Sequence, residues 1–197
     1  MMAPYTPPEQ TSPDERAARM RAMIPQIQTP RLTLRAPKLD DLPTLTAFYR
    51  TERSHLVGGP LDARAASRVM AGTIGQWALR GYGMWYIAGR ATDEVLGWTG
   101  ILFAPGWAEP ELGWTVFPEA EGKGLAFEAA LAARDYAAAH LGIHRPISYI
   151  EPVNTRSIAL AERLGAVRES TGALLGKPCL IYRHPALDDD GSVEAYA

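Results

Sequence analysis

The residues best suited to chemistry fall in two short segments about thirty residues apart. The first, Glu121-Gly122-Lys123-Gly124-Leu125-Ala126, joins a strand-like run, Glu111 to Phe117, to an alanine-rich run with helical spacing. Such a loop delivers backbone N–H groups to a helix start, where four donors lack intrahelical partners and the dipole is positive. A phosphate or diphosphate suits that place, and glycine lets the anion come close to the amides. A plain strand-to-helix turn accounts for the loop equally well on its own. Two nucleotide signatures fail: G-x-G-x-x-G/A is broken by Phe127, and a P-loop by Gly124, which follows Lys123 where Ser or Thr is needed. The second segment, Asn154 to Ala166, reads as a helix with Asn154 and Ser157 at its start and Gly165 after its end. Asn154 there is either a ligand-binding residue or simply the cap.

The elements that must hold these segments follow from periodicity. Arg31 to Arg35 alternates as a strand, and Leu42, Leu45, Phe48 and Tyr49 mark a helix. Asp62 caps a second helix that stops at Gly81. Strand runs follow at Met84 to Ala88, Val95 to Phe103 and Glu111 to Phe117. A helix then runs from the glycine loop to Leu141-Gly142, carrying a small-residue stripe of Ala126, Ala129, Ala130, Ala133 and Ala137 that lets it lie close against a sheet. Pro146 to Ile150 is the next strand, Asn154 to Leu164 a short helix and Leu180 to Arg183 a last strand, apolar enough to offer a homodimer edge. This order argues an α+β or mixed α/β sheet.

The chain of 197 residues is near one domain's worth. Residues 1–26 are expected as a leader with a short helix over about 13 to 23, 27–185 as the domain and 186–197 as an acidic tail. With 20 basic and 22 acidic residues the net charge is −2, which argues against a nucleic-acid partner. No apolar run is long enough for a membrane span, the lone Cys179 cannot form an internal disulfide, and Asp14 and Glu15 lie where a signal peptide would be apolar. A cytoplasmic protein fits best. His55, His140, His144 and His184 match no metal-ligand spacing, so no metal is expected.

Together, Glu111-Leu112-Gly113-Trp114, the Gly122-Lys123-Gly124-Leu125-Ala126 loop and Asn154-x-x-Ser157 ending in Glu162-Arg163-Leu164-Gly165 resemble the GNAT superfamily of N-acetyltransferases, in its RimJ/RimL-like branch. The resemblance runs from about Thr29 to Arg183. It implies a twisted, mostly antiparallel sheet with one splayed parallel strand pair, and acetyl-CoA as co-substrate between those strands. The backbone of Thr115, Val116 and Phe117 would meet the pantetheine, the amides of Gly122, Lys123, Gly124, Leu125 and Ala126 the diphosphate, Asn154 the pantetheine again, and Ser157 would lie near the thiol. Two positions depart from the family pattern. Glu121 stands where a polar or aromatic residue is usual, and because a carboxylate beside a diphosphate is unfavourable unless it turns to solvent, it is left out of the binding set, its direction open; Ala161 stands where many members carry a tyrosine acid.

Acyl transfer to an amine needs the amine neutral and a proton for the departing thiolate. A peptide α-amino group titrates at roughly 7.7 to 8.0, so the base has a modest task for such an acceptor. Glu111 is the first candidate base, with Glu109 the alternative, and Ser157 the donor to the thiolate, in direct transfer without an acyl-enzyme. Cys179 is expected to be a buried, inert thiol. His55, in a glycine-rich loop, and Trp107 are expected to meet the acceptor, while Trp85, Trp98 and Trp114 are read mainly as core. The expected activity is acetyl-CoA-dependent acetylation of a primary amine, a protein N-terminus or a small molecule. The alternative, raised by Ala161 and Glu121, is a catalytically silent acyl-CoA-binding module.

Overall fold

The computed structural model describes residues 11–186. The proline-rich start and most of the acidic tail lie outside the described residues. Ser12 opens α1 (Pro13–Ala22) with a capping box, its hydroxyl accepting the Glu15 N–H while the Glu15 carboxylate accepts the Ser12 N–H. No α1 residue is buried.

Eight strands form one sheet in the order β1-β2-β3-β4-β5-β6-β8-β7. They are β1 (Ile27–Gln28), β2 (Leu32–Arg35), β3 (Met84–Gly89), β4 (Val95–Leu102), β5 (Glu111–Val116), β6 (Ile147–Ile150), β7 (Val167–Leu174) and β8 (Lys177–Arg183). Every pairing is antiparallel except β5 with β6, which are in register only at Glu111 opposite Ile147. Beyond that point the two strands part and leave a wedge.

Alternation sends successive β3 side chains to opposite faces. Trp85 and Ile87 pack toward α4 (Leu125–Leu141), where Ala129, Ala133 and Ala137 are fully buried and let the helix sit close. Tyr86 packs on the other side with Phe48 and Tyr49 of α2 (Leu42–Tyr49) and with Ala66 and Met70 of α3 (Ala63–Arg80). The fifth helix, α5 (Thr155–Arg163), buries Ala161 against Ile150 and Tyr182. Among the described residues no helix is long and apolar enough to cross a membrane.

One expectation is corrected, and one strand is found that the sequence pattern does not announce. Strand β7 carries no alternation because nearly all of its residues are exposed, so its sequence does not signal a strand. It pairs along β8, which places Leu180–Tyr182 between β6 and β7, and the apolar segment expected to offer a dimer edge has both sides filled.

Candidate active site

The wedge between β5 and β6 opens into two adjoining cavities. One, of about 680 Å³, runs over the glycine loop and is lined by Val116, Gly122, Gly124, Leu125, Ala126 and the α5 face. The other, of about 500 Å³, reaches toward the β7–β8 turn and is lined by Glu111, Trp107, Tyr149, His55 and Cys179 among others. Leu56, Val57, Trp114, Thr115, Asn154 and Ser157 line both, so these six stand at the junction.

The glycine loop is built to receive an anion. Gly122 and Gly124 have φ of +71° and +72°, left-handed values that a side chain disfavours. A Cβ at Gly122 would point into open space, the room a ligand needs. Gly124 is the N-cap of α4 and offers no capping side chain. Among the described residues, none of the amides of Leu125, Ala126 and Phe127 reaches a backbone acceptor outside the helix. These orphan donors at a helix start, facing the groove, fit a diphosphate.

Glu121 does not turn to solvent. Its carboxylate lines the groove and bridges Arg53 at 2.5 Å and Arg156 at 2.8 Å. Arg163 stacks over the Phe127 ring at 4.2 Å in the same groove. Three guanidiniums against one carboxylate make the groove locally cationic although the whole chain is slightly acidic. Motif reasoning missed Arg53 and Arg156, because Arg156 is a variable position inside the Asn154-x-x-Ser157 segment, Arg53 lies in no motif, and only the fold brings them to one carboxylate.

One predicted cofactor contact, the Phe117 backbone, is corrected. Phe117 faces away: its ring stacks on Phe48 at 4.9 Å and its N–H donates to the Leu96 carbonyl at 2.8 Å. The Lys123 ammonium folds back onto the Glu119 carbonyl at 2.7 Å, and the Lys123 carbonyl accepts from Arg31, so its side chain braces the loop.

Around the second cavity the two candidate bases separate. Glu109 holds Arg183 in a two-pronged ion pair at 2.6 and 2.8 Å, and that contact lowers its carboxyl below the usual range. Glu111 has no cationic partner among the described residues. Its Oε2 accepts the Trp107 indole N–H at 2.5 Å and its Oε1 the Tyr149 amide at 3.3 Å. Burial raises Glu111 to about 7, the hydrogen bonds from Trp107 and Tyr149 only partly opposing it. A carboxyl that titrates near neutral pH inside a cleft is suited to proton transfer.

Ser157 accepts the Trp114 indole N–H at 3.3 Å, and its own amide donates to Asn154 Oδ1 at 3.2 Å. Asn154 is therefore the α5 N-cap and also a wall of both cavities; the two readings of this residue are compatible. His55 lies 3.0 Å from Glu52 on the cavity rim. Cys179 is buried, and burial raises its thiol further. Trp85 is core, whereas Trp98 and Trp114 also line the second cavity. His184 is buried beneath Trp114 with Nε2 3.0 Å from Ser148 Oγ, and burial lowers it to about 3, so it stays neutral.

Comparison with known proteins agrees with this geometry. A family model described as an acetyltransferase (GNAT) domain matches residues 31–167. An "Uncharacterized N-acetyltransferase p20" of Bacillus licheniformis is 29% identical over 147 residues, covering 73% of this chain and 83% of that protein. An acetyltransferase structure from Agrobacterium tumefaciens is 37% identical with a TM-score of 0.75, covering 82% of this chain and 94% of its own. A RimL ribosomal L7/L12 α-N-protein acetyltransferase solved with coenzyme A shares the fold at a TM-score of 0.68 and 20% identity, over 82% of this chain and 98% of its own.

Proposed function

The chain belongs to the GNAT acetyltransferase family, and from that premise we propose that it moves an acetyl group from acetyl-CoA directly to a primary amine, with Glu111 as base. The observation that carries the reading is the meeting of an anion-ready loop and a near-neutral carboxyl at the two ends of one wedge. Acetyl-CoA supplies the acetyl thioester: an amide C–N bond forms, the C–S bond breaks and coenzyme A leaves as the thiol.

The chain's own residues bind, orient and move protons. The amides from Gly122 to Ala126 hold the diphosphate, and the exposed backbone of Thr115 and Val116 guides the pantetheine toward Ser157. Ionised Glu111 takes the ammonium proton through Oε1, the oxygen held only by the longer hydrogen bond, while Trp107 fixes the carboxylate through Oε2. The Ser157 hydroxyl, oriented by the Trp114 indole, hydrogen-bonds the departing sulfur and relays to it the second amine proton, released as the tetrahedral intermediate collapses. Ser157 thus ends as a hydroxyl, and Glu111 later returns its proton to water. A thiol pKa of about 8.5 makes that sulfur a tolerable leaving group, so Ala161 in place of a tyrosine acid does not disable the site.

In this reading Glu121 holds Arg53 and Arg156 at the groove mouth until phosphates compete for them. Arg156→Ala is expected to weaken coenzyme A about 3- to 10-fold, with a shallower salt dependence and no change for phosphate-free acetyl-pantetheine. Calorimetric titration at two salt concentrations measures this; an equal loss for both ligands would remove the arginine from phosphate binding. Cys179→Ala is expected to keep turnover within a few-fold of the parent, since a buried thiol with a raised pKa is a poor nucleophile. Steady-state kinetics on the folded variant decides this, and complete loss would point to an acyl-enzyme.

A further inference from the structure

The second cavity carries a reading of the acceptor itself, resting on its assignment above as the amine's side of the wedge. Its walls are apolar and largely aromatic, with Met84, Trp98, Trp107, Leu112, Tyr149 and Leu174 among them. The ionisable side chains that line it are mostly spoken for. Lys177 reaches Glu151 at 3.4 Å and His55 reaches Glu52 at 3.0 Å, which leaves Glu111 as the carboxylate without an ion-pair partner among the described lining residues.

One side of the cavity is bounded by Leu175 of the β7–β8 turn, a side chain itself 72% exposed. The loop between β4 and β5 approaches the β7–β8 turn so closely that a Cβ at Gly106 would lie 3.1 Å from Leu175 Cδ2. Two hydrogen bonds pin that loop: the Trp107 indole on Glu111, and the Ala108 N–H on Tyr149 Oη at 3.1 Å. The wall is therefore tied to the same strands that carry the base.

We propose that the acceptor is a compact monoamine with an apolar, ring-sized body, taken up whole between the aromatic walls with its amine on Glu111. A polyamine or aminoglycoside would bring further ammonium groups against walls that offer no second unpaired carboxylate, and an ammonium removed from water without a partner is strongly disfavoured. An extended N-terminal peptide leaving on that side would have to displace Leu175 from its place beside Gly106.

The test uses the full chain. 2-Phenylethylamine, spermidine, kanamycin and an alanine-initiated hexapeptide are compared by mass-resolved acetylation with acetyl-CoA, and separately by quenching of tryptophan fluorescence without it. The proposal expects kcat/KM for 2-phenylethylamine at least tenfold above each of the others, and saturable quenching by 2-phenylethylamine. Leu175→Gly, in a turn whose φ of +50° favours glycine, should narrow the gap between 2-phenylethylamine and the hexapeptide severalfold by opening that side. Spermidine, kanamycin or the hexapeptide matching 2-phenylethylamine in the parent would overturn it, as would absence of quenching. Coenzyme A titration runs alongside: failure to bind coenzyme A sinks the acetyltransferase reading, whereas binding with the wrong acceptor order sinks only this one.

Discussion

Glu111→Gln is expected to lower kcat about 10²- to 10³-fold while leaving the affinity for coenzyme A unchanged. The size follows from the acceptor: an aliphatic amine of pKa near 10 is about 99% protonated at pH 7.5, so a positioned base has more to do than with a peptide α-amine. Glutamine keeps an oxygen for the Trp107 indole but cannot take the proton. The parent's rate should rise as pH passes through about 7, where Glu111 ionises, and the variant should lose that limb while keeping the one set by the amine. Changing to an acceptor of lower pKa moves the second limb and not the first.

A stability readout accompanies this kinetic one. Burial raises the folded-state pKa of Glu111 above its unfolded value, so the folded chain holds that proton more tightly and stability falls as pH rises from about 4.5 to about 7. Removing the ionisable group should therefore stabilise the fold at pH 8 by on the order of 1–3 kcal/mol, read as a higher melting temperature, and change little at pH 4. A variant with unchanged kcat and the parent's pH profile would take Glu111 out of the reaction.

Gly124→Val is expected to raise the Kd of coenzyme A about 10²-fold, the equivalent of about 3 kcal/mol, or one or two hydrogen bonds to a charged group. A β-branched residue is strained at φ +72° and pulls the loop from the position in which its amides converge. Because the apo chain also suffers, acetyl-pantetheine is the necessary comparison. Lacking the phosphates, it should bind the folded variant nearly as well as the parent. Equal loss of both ligands would mean a general collapse of the wedge, and no loss of either would remove the loop from the site.

What could be read before folding is what depends on neighbours in the chain. Gly122 and Gly124 before an alanine-rich helix, Asn154 three residues before Ser157, and the Asp62-to-Gly81 helix are local patterns, and each corresponds to an observed turn or cap. Contacts between distant elements left no such trace. Glu109 and Glu111 are chemically equivalent as letters; only the approach of Arg183 to one and the burial of the other separate them. Phe117 continues the strand pattern, yet the chain turns there and its N–H goes to Leu96. The Arg53, Glu121 and Arg156 cluster draws on three separate elements, which is why a near-neutral composition concealed a cationic groove. Strand β7 has no buried face, so no periodicity could announce it.

The central claim is direct acetyl transfer at the junction of the two cavities. Incubating the chain with acetyl-labelled acetyl-CoA and an apolar monoamine, and following product, coenzyme A and protein by mass spectrometry, tests it most directly. The account predicts labelled acetamide and coenzyme A appearing one for one, with no label on the protein. Coenzyme A bound without any product, as in a silent binding module, or label retained on Cys179, would contradict it.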